Sequence, residues 1–155
     1  MRILVLTPTY LPIVGGAEVA IFEICRRLAQ SHAVMVLTPR PRRNLVRDFG
    51  ATDESLRCDL IQVRRYWDCL TFAKTRLKEY WGGIIPPVSL SGMLALRRAA
   101  AEFQPDVVYV HYIVPSGLAL WYAARVLKLP VLLSLIGRDD VCGAMNRYFL
   151  RQPRY

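Results

Sequence analysis

The chain has 155 residues, of which 54% are hydrophobic and 21% charged, a composition that fits one globular domain and excludes a disordered chain. No apolar run approaches the roughly 18 residues that span a bilayer, and the N-terminal sequence is not expected to be a signal peptide. The four cysteines show no metal-ligand spacing, so we expect a reduced, cytoplasmic setting. The net charge of +9 favours an anionic partner, although it also serves solubility alone.

The first 28 residues predict a strand, a turn and a helix. Residues 2–6 form a short branched apolar run, which the two prolines of Thr7–Pro12 cannot continue. Gly15 and Gly16 follow, and apolar residues then recur at helical spacing up to Leu28. A turn without side chains at a helix N-terminus lets an anion approach bare backbone N–H groups. We therefore predict that Gly15 and Gly16 bind phosphate, the other interpretation being a plain turn.

The rest of the chain alternates between strand and helix patterns. The further predicted strands cover residues 33–37, 60–66, 106–111 and 131–136, and the further predicted helices cover residues 91–103 and 117–128. This alternation indicates an α/β fold: a Rossmann-like open parallel sheet with helices on both faces. Two segments stand apart. We expect a basic loop over residues 39–53, and either an interfacial membrane anchor or core packing over residues 67–90.

Parallel strands bring their carboxyl ends to one edge of the sheet, where an open α/β fold binds its ligands. Besides the glycine pair, this edge is predicted to hold Tyr10, His111, Arg138 and Asp139, our candidates for a substrate cleft. Each has a structural alternative, since His111 suits a core position, Asp139 a helix cap and Arg138 a solvated surface.

The sequence lacks the motifs of several common binding sites, and we therefore do not expect those sites here. Residues 14–18, Val-Gly-Gly-Ala-Glu, do not form the dinucleotide fingerprint, and no Walker-type Gly-Lys-Ser/Thr is present. The sequence has two histidines and no cluster with metal-ligand spacing, so no metal site is expected. The basic residues are scattered without a recognised motif, which argues against nucleic-acid binding.

The order of several blocks resembles the N-terminal domain of retaining glycosyltransferases of family 4. These blocks are residues 9–12 (TYLP), 14–18 (VGGAE), 105–111 (PDVVYVH), 115–117 (PSG) and 130–139 (PVLLSLIGRD). The resemblance implies a GT-B fold, made of two Rossmann-like domains. Residues 1–155 would then be a single acceptor-side domain, incomplete at its end and lacking the donor-binding second domain.

The activity that the resemblance implies is transfer of a sugar, of the hexosyltransferase type, from a nucleotide sugar to a glycan or lipid-linked acceptor. In that family the glycine pair, here Gly15 and Gly16, approaches the donor diphosphate or an acceptor phosphate. The nucleotide sugar is a substrate, and neither a cofactor nor a metal is implied. We expect the 155 residues to be inactive without the second domain.

One position departs from the family pattern. Many members have His where Ile136 stands, and His111 matches a different family position, so no catalytic residue is assigned. The expected setting is cytoplasmic, with peripheral contact to an anionic membrane surface during synthesis of cell-surface polysaccharide. The alternative function is a non-catalytic Rossmann-like module for nucleotide binding or protein interaction.

Overall fold

The computed structural model describes residues 1–41, 61–68, 89–113 and 116–135. In chain order, these residues form β1 (Arg2–Leu6), α1 (Gly16–Leu28), β2 (Ala33–Pro39), β3 (Ile61–Tyr66), α2 (Leu90–Phe103), β4 (Val107–His111), α3 (Gly117–Arg125) and β5 (Val131–Ser134). All five strands are parallel, in the order β3-β2-β1-β4-β5. The predicted Rossmann-like α/β architecture is confirmed.

Alternation along the strands divides the core into two layers, one on each face of the sheet. On β1, Ile3 and Val5 pack with Ile21 and Cys25 of α1. The residues between them point to the other face, where Leu4 packs with residues of α2 and α3. Because successive side chains of a strand point to opposite faces, the central strands β1, β2 and β4 supply both layers at once.

The strand order creates a topological switch at β1. Its neighbour β2 follows it in sequence on one side, whereas β4 lies on the other side and is reached only after β3. In open α/β sheets the ligand crevice lies outside the carboxyl ends of the two strands at such a switch. Here those ends belong to β1 and β4, so the loop between β1 and α1 lies where a ligand is expected.

Helix α1 is amphipathic and holds one cysteine in the core. Cys25 is fully buried against the sheet, where it packs with the apolar residues of this layer. Burial raises the pKa of its thiol to about 12, so the thiol stays protonated at neutral pH and is a poor nucleophile.

Three element ends differ from the sequence prediction. Strand β2 continues to Pro39. Because Pro39 is the last residue of the strand, its missing N–H does not interrupt the hydrogen bonds of the sheet. Helix α3 ends at Arg125 rather than at residue 128, where Lys128 has a φ of 54° that no α-helix accepts. Strand β5 ends at Ser134, two residues before the predicted end.

The two segments that stand apart from the alternation of strands and helices, residues 39–53 and 67–90, lie mostly outside the described residues. Only residues 39–41 of the expected basic loop, and residues 67–68 and 89–90 of the expected anchor, are described. Within the described parts of the chain, every helix is too short or too polar to cross a bilayer.

Candidate functional site

The glycine pair lies at the start of α1, at the carboxyl edge of the sheet. Gly15 is the N-cap residue and makes no side-chain capping bond, and Gly16 is the first helical residue. The first intrahelical bond runs from the Val19 amide to the Gly15 carbonyl, at 3.1 Å. The amides of Gly16, Ala17 and Glu18 therefore precede the helical ladder, and such amides carry the positive end of the helix dipole.

The glycine pair and His111 lie at the same edge, as the sequence predicted. Leu6 of β1 pairs with Val110 of β4, which places Thr7 beside His111 at the ends of the two neighbouring strands. Gly16 is exposed, so the turn is not packed away from this edge. An open depression lined by Arg2, His32 and Asp106 lies at the opposite, amino-terminal edge and is no part of the candidate site.

The β1–α1 loop, residues 7–15, is tied to the structure by several side-chain hydrogen bonds. The Thr7 hydroxyl donates to the Thr9 carbonyl at 2.8 Å, and the Thr9 hydroxyl donates to the Glu18 carboxylate at 2.7 Å. From β3, the Arg65 guanidinium donates to the Leu11 carbonyl at 2.5 Å. The loop that presents the glycine pair is thus held by one bond within itself and by side-chain bonds to two elements, namely α1 and β3.

The Glu18 carboxylate lies next to Gly15. A Cβ added at Gly15 would collide with Glu18 Oε2, whereas a Cβ at Gly16 would meet no atom within 4 Å. A carboxylate in the first turn is favourable for the helix dipole. An anion that binds the free amides would therefore meet a negative charge already present beside Gly15.

Tyr10 has its ring in the core rather than at an open surface. The residue is 4% exposed and its ring centroid lies 6.5 Å from that of Phe22, on the α1 layer of the core. Sequence reasoning placed Tyr10 at the cleft because it follows β1. The structure brings its backbone to the edge and directs its ring inward.

A row of buried polar residues crosses the strand ends on the α1 face. Leu6 pairs with both Leu37 and Val110, so the residues that follow, Thr38, Thr7 and His111, are neighbours across three strands. Their exposures are 1%, 0% and 0%. Among the described residues, the Thr38 hydroxyl and both His111 ring nitrogens have no hydrogen-bond partner. A buried polar group without a partner costs about 1–3 kcal/mol, so this row is polar at the expense of stability.

His111 is neutral at physiological pH in this environment. Burial lowers the pKa of its imidazole to about 4, because the charged form loses its hydration. Its ring lies against Tyr109, with 4.2 Å between the ring centroids. A neutral imidazole of this kind can donate one hydrogen bond and accept another, but it carries no charge at pH 7.

The α2 side of the same edge carries a different polar cluster. The Ser89 hydroxyl accepts from the Gly92 amide at 2.9 Å and so caps α2. The Asp68 carboxylate accepts from the hydroxyls of Ser89, at 3.2 Å, and Ser91, at 2.9 Å. The positive end of α2 is thus already occupied by groups of the chain itself.

The remaining candidates, Arg138 and Asp139, lie outside the described residues, and their place in the cleft stays a prediction. The described structure adds residues that sequence reasoning missed, namely Thr7, Arg65 and Glu18. Alternation along β1 would have placed Thr7 in line with the buried residues before it. The contact of Arg65 spans 54 positions, and no local pattern indicates it.

The family model named Glycosyltransferase Family 4 matches residues 14–152, most of the chain. The chain belongs to glycosyltransferase family 4. This match includes the glycine pair and all of α1 through β5, and it begins after β1 and most of the β1–α1 loop.

Among solved structures, the chain is similar to UDP-GlcNAc 2-epimerase from Neisseria meningitidis bound to UDP-GlcNAc. The TM-score is 0.50 at 18% sequence identity, and the alignment covers 86% of this chain and 32% of that one. At this identity the similarity concerns the fold alone, and the chain spans about a third of the epimerase. A search of curated proteins gave no match.

Proposed function

We propose that this chain is the acceptor-side part of a retaining glycosyltransferase with a GT-B fold, which transfers a sugar from a nucleotide sugar to a glycan or lipid-linked acceptor. Membership in family 4 supports the reaction class. The Rossmann-like sheet, with its glycine turn at the topological switch, supports a ligand at this edge.

The observation that carries the proposal is that the fold itself does not require a glycine at position 16. Gly15 has a φ of −148°, extended backbone that any residue adopts. Gly16 is helical, and a Cβ there would enter open space. Glycine also lowers helix stability relative to alanine. Its presence is explained if a ligand approaches the backbone amides more closely than a side chain would permit.

The chemistry of sugar transfer gives such amides a task. When the glycosidic bond to the donor phosphate breaks, negative charge develops on the departing nucleoside diphosphate. Fixed N–H dipoles near that charge stabilise the transition state without reorganising. Gly15 and Gly16 would hold this diphosphate or, alternatively, a phosphate of the acceptor.

The other candidates take supporting roles in this proposal. His111 would act as a neutral hydrogen-bond partner for a substrate group, and Tyr10 would support the loop from the core. Arg138 and Asp139 would contact substrate in the cleft, Arg138 by its charge. The reaction as proposed uses no metal or cofactor.

The wider setting is also part of the proposal. Turnover would require a second, donor-binding domain, and the protein would work in the cytoplasm at an anionic membrane face, in the synthesis of cell-surface polysaccharide. The net charge of +9 supports the membrane contact, since each basic residue near such a surface contributes about 1 kcal/mol.

The test is a titration of the ¹⁵N-labelled chain with UDP, followed by the backbone amide signals. We expect the Gly16 and Ala17 amides to shift with UDP concentration, and Gly16→Val to weaken this binding about tenfold, because its side chain blocks the amides. Ala20→Val places the same side chain on an exposed position of α1 and serves as the control. The proposal fails if UDP, GDP, ADP and inorganic phosphate all leave the Gly16 signal unmoved, or if both valine variants bind alike.

A further inference from the structure

Strand β3 carries two consecutive arginines that serve opposite faces of the sheet. Arg64 forms an ion pair with Glu102 of α2, with 2.5 Å between Nη2 and Oε2. Arg65 points to the α1 face, where its Nη2 donates to the Leu11 carbonyl of the β1–α1 loop. One arginine therefore ties the strand to α2, and its neighbour ties the strand to the glycine-bearing loop.

The Arg65 contact reaches the middle of that loop. The ends of the loop are fixed by β1 and α1, with Thr7 and Thr9 bonded near the first end and Glu18 near the second. Leu11 lies between them, with 8% of its surface exposed. Arg65 lies beside Thr38 in the register of β2 and β3, so the contact reaches the loop across the sheet from the side away from β4.

We propose that Arg65 is a positioning residue, which fixes the β1–α1 loop through the Leu11 carbonyl and thereby sets where the amides of Gly15 and Gly16 lie relative to the strand ends. The inference rests on the phosphate role proposed for the glycine pair. Arg65 itself need not touch substrate, because its effect passes through the backbone between residues 11 and 15.

The chemistry of the contact suits this role. A charged donor forms a shorter and stronger hydrogen bond to a carbonyl than a neutral one. The guanidinium is planar and permanently charged, so the geometry it imposes does not change with pH. Loops that present amides to a ligand lose affinity when they must be ordered at the moment of binding, and an anchor present in the free protein removes that cost.

The first experiment measures loop order without a ligand, by hydrogen exchange of the Ile13 amide, which donates to the Tyr10 carbonyl within the loop. Arg65→Met should exchange this amide about tenfold faster than the parent chain, because a charge-assisted bond is lost. Arg64→Met is the matched control, since it removes the same charge from the same strand but, among the described residues, breaks a half-exposed pair with Glu102 on the opposite face. Equal exchange in the two variants overturns the inference.

The second experiment repeats the UDP titration in both variants. We expect Arg65→Met to bind UDP five- to tenfold more weakly while Arg64→Met stays within twofold of the parent chain. If the parent chain binds UDP and the two variants bind it equally, the positioning role is wrong and the proposed function stands. If the parent chain shows no shift at the glycine amides, the proposed function fails, and the positioning role fails with it.

A third variant separates positioning from loss of folding. Arg65→Lys keeps a charged donor but not the planar fork, and we expect it to recover part of the exchange protection of Ile13 and part of the UDP affinity. Thermal unfolding of each variant shows whether it is folded at the titration temperature. A lysine variant no better than the methionine variant, in a folded chain, contradicts the hydrogen-bonding role.

Discussion

The two sides of the carboxyl edge differ in how far their polar groups are satisfied by the chain itself. On the α2 side, Ser89 caps the helix and the Asp68 carboxylate accepts from two serine hydroxyls. On the α1 side, Gly15 supplies no cap, and Thr38 and His111 are buried without a hydrogen-bond partner among the described residues. Both sides offer a helix N-terminus at the same edge, but a side chain caps the one at α2, whereas no side chain caps the one at α1.

Under the proposed function, this difference gives the α2 side a role in stability and the α1 side a role in binding. A satisfied polar cluster fixes the start of a helix, and replacing its members should change the free energy of unfolding without changing ligand affinity. Unsatisfied buried groups cost free energy of folding, and their retention is explained by a ligand that meets them. Each prediction below sets one side against the other.

The largest expected effect concerns His111 at low pH. In the unfolded chain its pKa is about 6.5, whereas burial lowers it to about 4 in the folded chain. Between these values the unfolded state binds more protons, so stability falls as the pH drops from about 7 to about 4, by about 3 kcal/mol in total. In His111→Phe we expect this contribution to the pH dependence of stability to disappear. Denaturant unfolding at several pH values measures the free energy of unfolding and so checks this prediction.

The second histidine of the sequence provides the control for that experiment. His32 lies in the turn before β2, outside the core, so His32→Asn retains His111 and its acid-dependent loss of stability. If His111→Phe keeps the same pH slope as the parent chain between pH 7 and 4, the imidazole is not held neutral by burial, and the contrast between the two sides loses its main support.

A smaller effect is expected on the α2 side. Ser89→Ala removes the hydroxyl that accepts from the Gly92 amide, and losing an N-cap costs about 1 kcal/mol of unfolding free energy. Ser116 is the matched control, since it stands at the N-cap position of α3 without a side-chain capping bond. Ser116→Ala should therefore cost less, and neither variant should alter UDP affinity. Weaker UDP binding in Ser89→Ala would place the ligand, at least in part, on the α2 side.

The sequence was sufficient for the sheet and for the position of the glycine pair, because both follow from local patterns. Branched apolar runs predict buried strands, and two glycines between a strand and a helix indicate the turn. The direction of Tyr10 could not be predicted, since it depends on how the loop folds back over α1. The Arg65 contact with Leu11 likewise joins residues that only the parallel pairing of β2 and β3 brings together.

The ends of the helices were also difficult to predict from the sequence. Apolar spacing continued the third helix to residue 128, but Lys128 has a positive φ and the helix stops at Arg125. The Asp68 contact at the start of α2 was also hidden from a local reading, because Asp68 and Ser91 are separated by 23 positions. Periodicity predicts which residues are buried in a helix, whereas its ends depend on contacts with other elements.

The smallest predicted effect concerns the negative charge that Glu18 places beside the glycine pair on the α1 side. Glu18→Gln keeps an oxygen that can accept from the Thr9 hydroxyl but removes the negative charge beside Gly15. The chain should lose about 0.3–1 kcal/mol of unfolding free energy, because a first-turn carboxylate favours the helix dipole. UDP should bind about threefold more tightly, since that carboxylate and the diphosphate would compete for the same amides. Glu23→Gln makes the same change in charge at an exposed ion pair with Arg26 and should leave UDP affinity unchanged. An affinity that stays constant in Glu18→Gln would mean that the diphosphate and the carboxylate do not share the helix start, and the phosphate site would then have to lie beyond the glycine pair.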